Sequence, residues 1–554
     1  MDSDQKHEPS PRGPFRLVLV ALWLGLGAIC VQLSPSDQKI LGRTFLLGLT
    51  SSLIALPVGG LIAWVCSHKG TIAKLIWLSS IALTFTPMLI HVSAWDAAFG
   101  KLGWLTAGQG GALKPLVSGW AAAIWIHGIS AAPQVGLFLT IGMSSFGRTY
   151  EEQASLDASP ITVFARVTLF RLFPLLILSV IWIVIGCARE IAVTDLYQIG
   201  TLAEQIYLGY SLGLNSIAGT WTAEQIAEAG QLELYLPWIL VAVLTLLGII
   251  LFTQLTQLEF QSSHQIPRLQ KTSSWLCRII GSLIIIVGVV IPISNVIARA
   301  CFFVKPVDAV PTQGYSIGQM IHSVGKSIID YQQEFVWSFL IAITTTILIM
   351  VAANLLAFLC RRSRGRKFLF ATLLAFSCAL PGPFIGSLVG SLFRNLPGDF
   401  FYWLSNYTIA APVIASFLFC WPITAALCWF LVRNVPNDIL ENSQLEKVGF
   451  LRRLVTFGIL AHWRSQLGCL ILTLALTFGE LSASHMVRPA GMDTVPRKML
   501  GDLHAGVNEM TAGITIVMAA IIFLMAMMGS LMISSSRPFG NLPKFHPAGG
   551  NRDA

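Results

Sequence analysis

Charge is what this chain has least of. Asp, Glu, Lys and Arg make up 11% of its 554 residues, against roughly 25% in a soluble domain. With 55% hydrophobic residues and a mean hydropathy of +0.71, that scarcity excludes water as the main solvent and leaves no room for a large soluble domain. Signatures of metal and nucleotide chemistry are missing as well. There is no HExxH. Gly325-Lys326-Ser327 has Met320 where the first glycine of a phosphate-binding loop belongs, so ATP hydrolysis would need a separate subunit. No His, Cys, Asp and Glu set has metal-site spacing, and His485 and His504 stand alone. The ten cysteines, among them Cys66, Cys187, Cys360, Cys420 and Cys469, mostly lie inside apolar runs without CxxC spacing, as small buried hydrophobes do. Leu17 to Leu33 follows basic residues but has no small-residue cleavage site, which makes it a first span rather than a removable signal.

What the chain does have is apolar runs of spanning length, roughly 20 residues each. They predict spans near 16–34, 44–66, 73–95, 118–143, 169–187, 235–255, 278–299, 336–360, 368–392, 408–432, 466–486 and 511–533. The net charge of +9 is dispersed between these runs and forms no continuous stripe, which argues for a membrane surface and against nucleic acid. Arg361, Arg362, Arg364, Arg366 and Lys367 form one basic cluster, and Lys447, Arg452, Arg453 and Arg464 another. The positive-inside rule then places both termini in the cytoplasm. Two longer polar loops, 188–234 and 300–335, fall outside; they are either docking surfaces, with Asp195, Glu204, Glu224 and Glu228 in the first, or short amphipathic caps.

The chain also repeats itself. Phe45 to Leu53 aligns with Phe339 to Ile347 at an offset of 294, which continues to Cys66 and Cys360 and sets Pro87 on Pro381. Both prolines are expected to kink their helices. Further on the offset is 290, pairing Glu151 with Glu441 and Glu190 with Glu480. Six spans per copy give the copies one orientation, about an axis along the membrane normal. The expected fold is an all-α integral membrane protein of about 12 transmembrane helices in two parallel-oriented homologous halves. Residues 1–15 form an N-terminal tail, 16–256 the first repeat, 257–277 a linker, 278–533 the second repeat and 534–554 a C-terminal tail.

Each repeat carries a loop between its fourth and fifth spans, at 151–169 and 441–459. The first begins Glu151-Glu152-Gln153-Ala154-Ser155-Leu156-Asp157-Ala158, the second Glu441-Asn442-Ser443-Gln444-Leu445-Glu446-Lys447-Val448-Gly449. Both resemble the EAA loop of ABC-importer permeases, in which a Glu-Ala-Ala start is followed by a glycine six residues after the Glu. The family glycine is replaced by Asp157 in one copy and Lys447 in the other, and Asn442 and Ser443 replace the alanines. The resemblance implies that Glu151, Glu152, Ala154, Asp157, Ala158, Glu441, Lys447 and Gly449 couple the bundle to two copies of a separate ATPase. The bland alternative is a basic loop lying on anionic lipid.

Phe478-Gly479-Glu480-Leu481-Ser482-Ala483-Ser484, Arg488-Pro489-Ala490-Gly491, Thr494-Val495-Pro496 and His504 look like the outer segment of fused iron(III)-type permeases, with fused thiamine permeases as the neighbouring alternative. This resemblance implies a bacterial inner-membrane protein fed by an extracytoplasmic solute-binding protein, with ATP used by the partner subunit and no cofactor of its own. Glu190 and Glu480 either line the pathway and attract a cation or mark where each helix leaves the membrane. An ion-driven secondary transporter would also repeat its halves, but it calls for charged pairs in mid-span, where this chain has almost none.

Overall fold

The computed structural model describes residues 31–534 apart from 69, 107–114, 146–148, 212–234, 258–273, 308–309 and 434; before residue 31 it describes only 25, 27 and 28. The span expected at 16–34, both tails, most of the 257–277 linker, and Glu224 and Glu228 therefore lie largely or wholly outside the described residues. The protein is a helical membrane protein. Among the described residues eight helices are long and apolar enough to cross a bilayer, or up to ten if two sharply bent pairs each count as one span.

In chain order the helices are α1 Pro35–Cys66, α2 Thr71–Thr84, α3 Met88–Phe99, α4 Gly119–Ser145, α5 Thr149–Asp157, α6 Phe173–Arg189, α7 Ala192–Leu196, α8 Leu202–Ser211 and α9 Leu236–Gln257. Then come α10 Trp275–Cys301, a two-stranded antiparallel hairpin (β1 Phe302–Val307, β2 Val310–Tyr315) and α11 Ile317–Asp330. The chain continues through α12 Gln332–Cys360, α13 Arg364–Ala379, α14 Gly382–Asn395, α15 Asp399–Tyr407, α16 Ala410–Arg433 and α17 Asn437–Leu445. It ends with α18 Phe450–Phe478, α19 Val495–His504 and α20 Glu509–Ser534.

Two expected spans are not single helices. Between α2 and α3 the axis turns by 104°, and between α13 and α14 by 95°. Pro87 and Pro381, expected as kinks, are instead the residues on which the chain stops and restarts. Each is extended (φ −60°, ψ 147° and φ −60°, ψ 145°) and stands just before the next helix. Proline has no N–H to continue a helix and its ring disfavours helical geometry at the preceding residue, so a break costs less here than inside an unbroken ladder.

The same neighbours recur along the chain. Helix α1 packs on α4 and α6, as α12 packs on α16 and α18. Leu46, Leu49 and Leu53 of α1 are exposed, and so are Leu340, Ile343 and Ile347 of α12, each 294 residues later. In a helix that spans a bilayer such a stripe is the lipid face, while Leu47 and Ile341 turn inward. Where α1 meets α4, glycine is required: a Cβ on Gly59 would come within 2.6 Å of Val135, a close approach of the kind small residues permit between membrane helices. Backbone donors follow the same rule. Leu202 N–H, at the start of α8, donates to Thr44 Oγ1 of α1 at 3.0 Å, and Val495 N–H, at the start of α19, to Ser338 Oγ of α12 at 2.9 Å. Each hydroxyl satisfies one of the orphan N–H groups of a helix N-terminus.

Early and late helices also cross over. Helix α9 lies against α13 and α20 against α2, while α8 meets α14 and α19 meets α3. Ser93 of α3 and Thr515 of α20 join their hydroxyls at 2.7 Å.

Candidate functional site

Two places hold most of the candidate residues read from the sequence. The first is a cavity of about 200 Å³ lined from the α2–α3 break, α4, α6, α16 and the end of α18. Its polar groups include His127, Gln134, Arg189, Glu190 and Glu480, and Pro87 stands at its wall. The two glutamates paired by the repeat thus meet in one space.

Both carboxylates also hold backbone. At Glu190 the chain leaves α6 in extended geometry, and its carboxylate accepts the N–H groups of Ala192 (2.5 Å) and Val193 (3.1 Å) at the start of α7. Glu480, which is 6% exposed, accepts from Ala483 N–H (2.6 Å), Ser484 N–H (3.2 Å) and Ser416 Oγ (2.8 Å). A carboxylate is the strongest acceptor the chain has for such donors, so each glutamate closes the turn where its helix ends while also facing the cavity. His127 Nε2 lies 3.9 Å from Glu190. On the other side Arg189 reaches α16, donating to Phe419 O at 2.6 Å with its guanidinium 4.2 Å from the Phe419 ring centre.

The turn after α18 sits directly on the first break. A Cβ on Gly479 would lie 2.0 Å from Pro87 Cγ, and one on Gly382 2.3 Å from Ser482 Cβ. Beyond this turn the segment is tied to its neighbours. His504 Nε2 is 3.2 Å from Asp195, Arg488 and Arg497 each lie 2.8 Å from Asp493, and Tyr331 O–H donates to Asp502. The hydrogen bond to Asp195, before the opposing effect of burial, raises the His504 pKa above its ordinary value. Asp195 and Glu204 are buried, so neither is displayed for a partner.

The second place is the pair of loops. Glu151, Glu152, Ala154 and Asp157 lie on α5. Ala158 N–H still bonds to Ala154 O at 3.1 Å, and the chain continues through short helical turns, Pro160–Val163, Phe164–Thr168 and Leu169–Arg171, into α6. In the second loop exposed Glu441 lies on α17. Lys447 N–H bonds to Gln444 O and Val448 N–H to Ser443 O, both at 3.0 Å, the paired bonds of a Schellman helix end. That motif needs a left-handed residue, and Lys447 supplies it with φ 56°. The lysine therefore adopts the geometry a glycine takes there most cheaply, while Asp157 stays within α5. Gly449 (φ −60°, ψ 152°) is the residue from which α18 starts.

Two arginines read from sequence only as topology markers turn out to grip this loop. Arg361 donates to Val432 O (3.2 Å), Val435 O (2.6 Å) and Asn437 Oδ1 (2.8 Å), and Arg362 to Gln444 Oε1 (3.0 Å). His127, Arg189 and Ser416 were likewise missed; His127 and Ser416 stand 289 apart, as Pro133 and Pro422 do, so the repeat itself marks them.

Both α6 and α18 begin at a loop and end in the shared cavity, which sets the two loops at corresponding ends of corresponding helices. Among the described residues no three His, Cys, Asp or Glu side chains gather into a metal-holding group. No family model, curated protein or solved structure matches the chain.

Proposed function

We propose that the chain is the permease of an ATP-driven, binding-protein-dependent importer in a bacterial inner membrane. In this reading two homologous six-span halves form one translocation pathway, and the cavity walled by Glu190 and Glu480 is part of it. The loops at 151–169 and 441–459 each dock one copy of a separate ATPase on the cytoplasmic side, and an extracytoplasmic protein delivers the solute, iron(III). Both termini are cytoplasmic.

The observation that carries the reading is the matched pair of loop-to-cavity helices. A short helix, a turn and an apolar helix ending at the cavity recur at both places, 17 residues long in α6 and 29 in α18, and the second turn has the left-handed geometry that suits a glycine although lysine occupies it. A helix under the bilayer that is continuous with a span ending at the pathway moves the pathway when an ATPase moves the helix. Glu151, in the first turn of α5, suits the positive end of such a helix; in α17 that place is taken by Asp438, and Glu441 stands at mid-helix.

Pull-down of the cognate ATPase from membranes is the test. Glu151→Lys and Glu441→Lys should each lower its recovery and together abolish it, with the bundle still folded; full recovery by the double variant would refute the coupling role. Uptake assays with labelled iron(III) and with thiamine then decide the cargo, for which the outer segment 478–504 favours iron.

A further inference from the structure

A pocket of about 440 Å³ opens between the α12–α13 turn, α17 and the start of α18. Arg361, Arg362, Arg366, Lys367 and Arg453 line it, and the sole acidic residue on its wall is Glu441. Arg361 is engaged by main-chain carbonyls. Arg453 is not: its Nε is shut off from solvent and has no hydrogen-bond partner. Five cations around one carboxylate repel one another, and a buried N–H without an acceptor costs free energy. Both defects are cured by a single anion.

The surroundings say which anion. Rising from the pocket, Leu369, Leu373 and Phe376 of α13 are exposed at intervals of four and three residues, with Phe368 and Leu359 exposed beside them. This is one helical stripe, apolar and outward-facing, that starts where the cations end. A soluble phosphate would use the cations and ignore the stripe. A phospholipid uses both, since basic pockets at the base of spanning helices take anionic headgroups. We propose that this pocket binds one anionic phospholipid, its phosphodiester among Arg366, Lys367 and Arg453 and its acyl chains along α13. The same headgroup touches the wall that holds Glu441 and Gln444, so occupancy steadies α17.

The cations that line the pocket are not repeated at the matching positions. At the positions 294 residues earlier the chain has Ser67, His68, Ile72 and Ala73, and 290 before Arg453 stands Val163. One tightly held lipid per chain is expected, independent of the transport reading.

Native mass spectrometry of the full-length protein in detergent tests this, with dioleoyl phosphatidylglycerol, dioleoyl phosphatidylcholine and glycerol 3-phosphate as probes. The wild type should retain one phosphatidylglycerol with a preference of about tenfold over phosphatidylcholine. Arg366→Gln/Lys367→Gln/Arg453→Gln should erase that preference, and the charge-keeping Arg366→Lys/Lys367→Arg should retain it. If the triple variant does not fold, Arg366→Gln/Lys367→Gln decides in the same way, because Arg366 is exposed and Lys367 half-buried. A wild type with no preference, or a folded glutamine variant that keeps it, overturns the proposal. So does displacement of the lipid by glycerol 3-phosphate, which would make the pocket a site for soluble phosphate.

Discussion

The two loops stand at corresponding places and are held differently. The second is fastened: Arg361 binds three acceptors at the end of α16 and the start of α17, Arg362 binds Gln444, and Lys447 closes the helix. At the positions matching the two arginines the first repeat has Ser67 and His68. Both turn back on their own helix, bonding to Trp64 O at 2.6 Å and 2.8 Å. The same scaffold thus supports one loop by reaching across to it and leaves the matching residues of the other to cap α1. Positions that match by sequence offset are not supported in the same way.

The largest effect should come from removing the reach. Arg361→Ala leaves two carbonyls and one amide oxygen without their charged donor and should cost about 2 kcal/mol, read as a lower unfolding midpoint in detergent with easier proteolysis around α17. Ser67→Ala should cost far less, and an equal loss at both sites would erase the contrast drawn here.

Next come the features the copies share. Ser338→Ala and Thr44→Val each strand one N–H at a helix start and should each cost about 1.5 kcal/mol. Thermal melts that differ strongly between them would show that the two ends are not equivalent.

Smaller again is the turn itself. Lys447→Gly relieves a left-handed side chain and should stabilise by about 1 kcal/mol, whereas Asp157→Gly places glycine in a helix and should destabilise by about 0.5–1 kcal/mol. Opposite signs in denaturation midpoints are the expectation; like signs would mean that the two turns share a geometry.

The smallest effect concerns pH. His504 is raised by its hydrogen bond to Asp195, so the stabilisation it provides is complete below the ordinary histidine value and fades as pH rises through the raised one. Glu204 and His485 stand near Asp195 as well. Because His504 is about half exposed, salt should weaken the effect further. Protease sensitivity of the 488–508 segment should increase on that alkaline side, and His504→Gln should flatten the profile.

Much of this architecture was legible because it is local. Apolar length marks spans such as α4, α12, α16 and α20 within a few residues, whereas α1 begins at Pro35, well before the expected 44, and the matched Glu190 and Glu480 fall on one cavity. The breaks at Pro87 and Pro381 were half legible: proline reports that a helix is disturbed, but whether the chain bends or stops depends on what packs into the gap, here the turn at Gly479 and Ser482. The hairpin at 302–315 was read as plain loop, since Lys305, Pro306 and Pro311 break the alternation that would signal strands. Lys447 in a glycine's conformation was not legible at all, because backbone geometry at one residue is set by the helix ending before it. Nor was the grip of Arg361, which looked like any interfacial charge.

The crossing of α9 onto α13 and of α20 onto α2 has a consequence for how such a chain can be divided. A cut between residues 257 and 274 would leave two pieces, each having its last helix seated on the other piece's broken pair. Such pieces exchange a wall rather than abut across a flat seam, and neither would present a finished surface when alone. Joining them in one polypeptide keeps each at high effective concentration for the other and lets the two arms diverge without losing their mate, which is the freedom that the unequal support of the two loops displays.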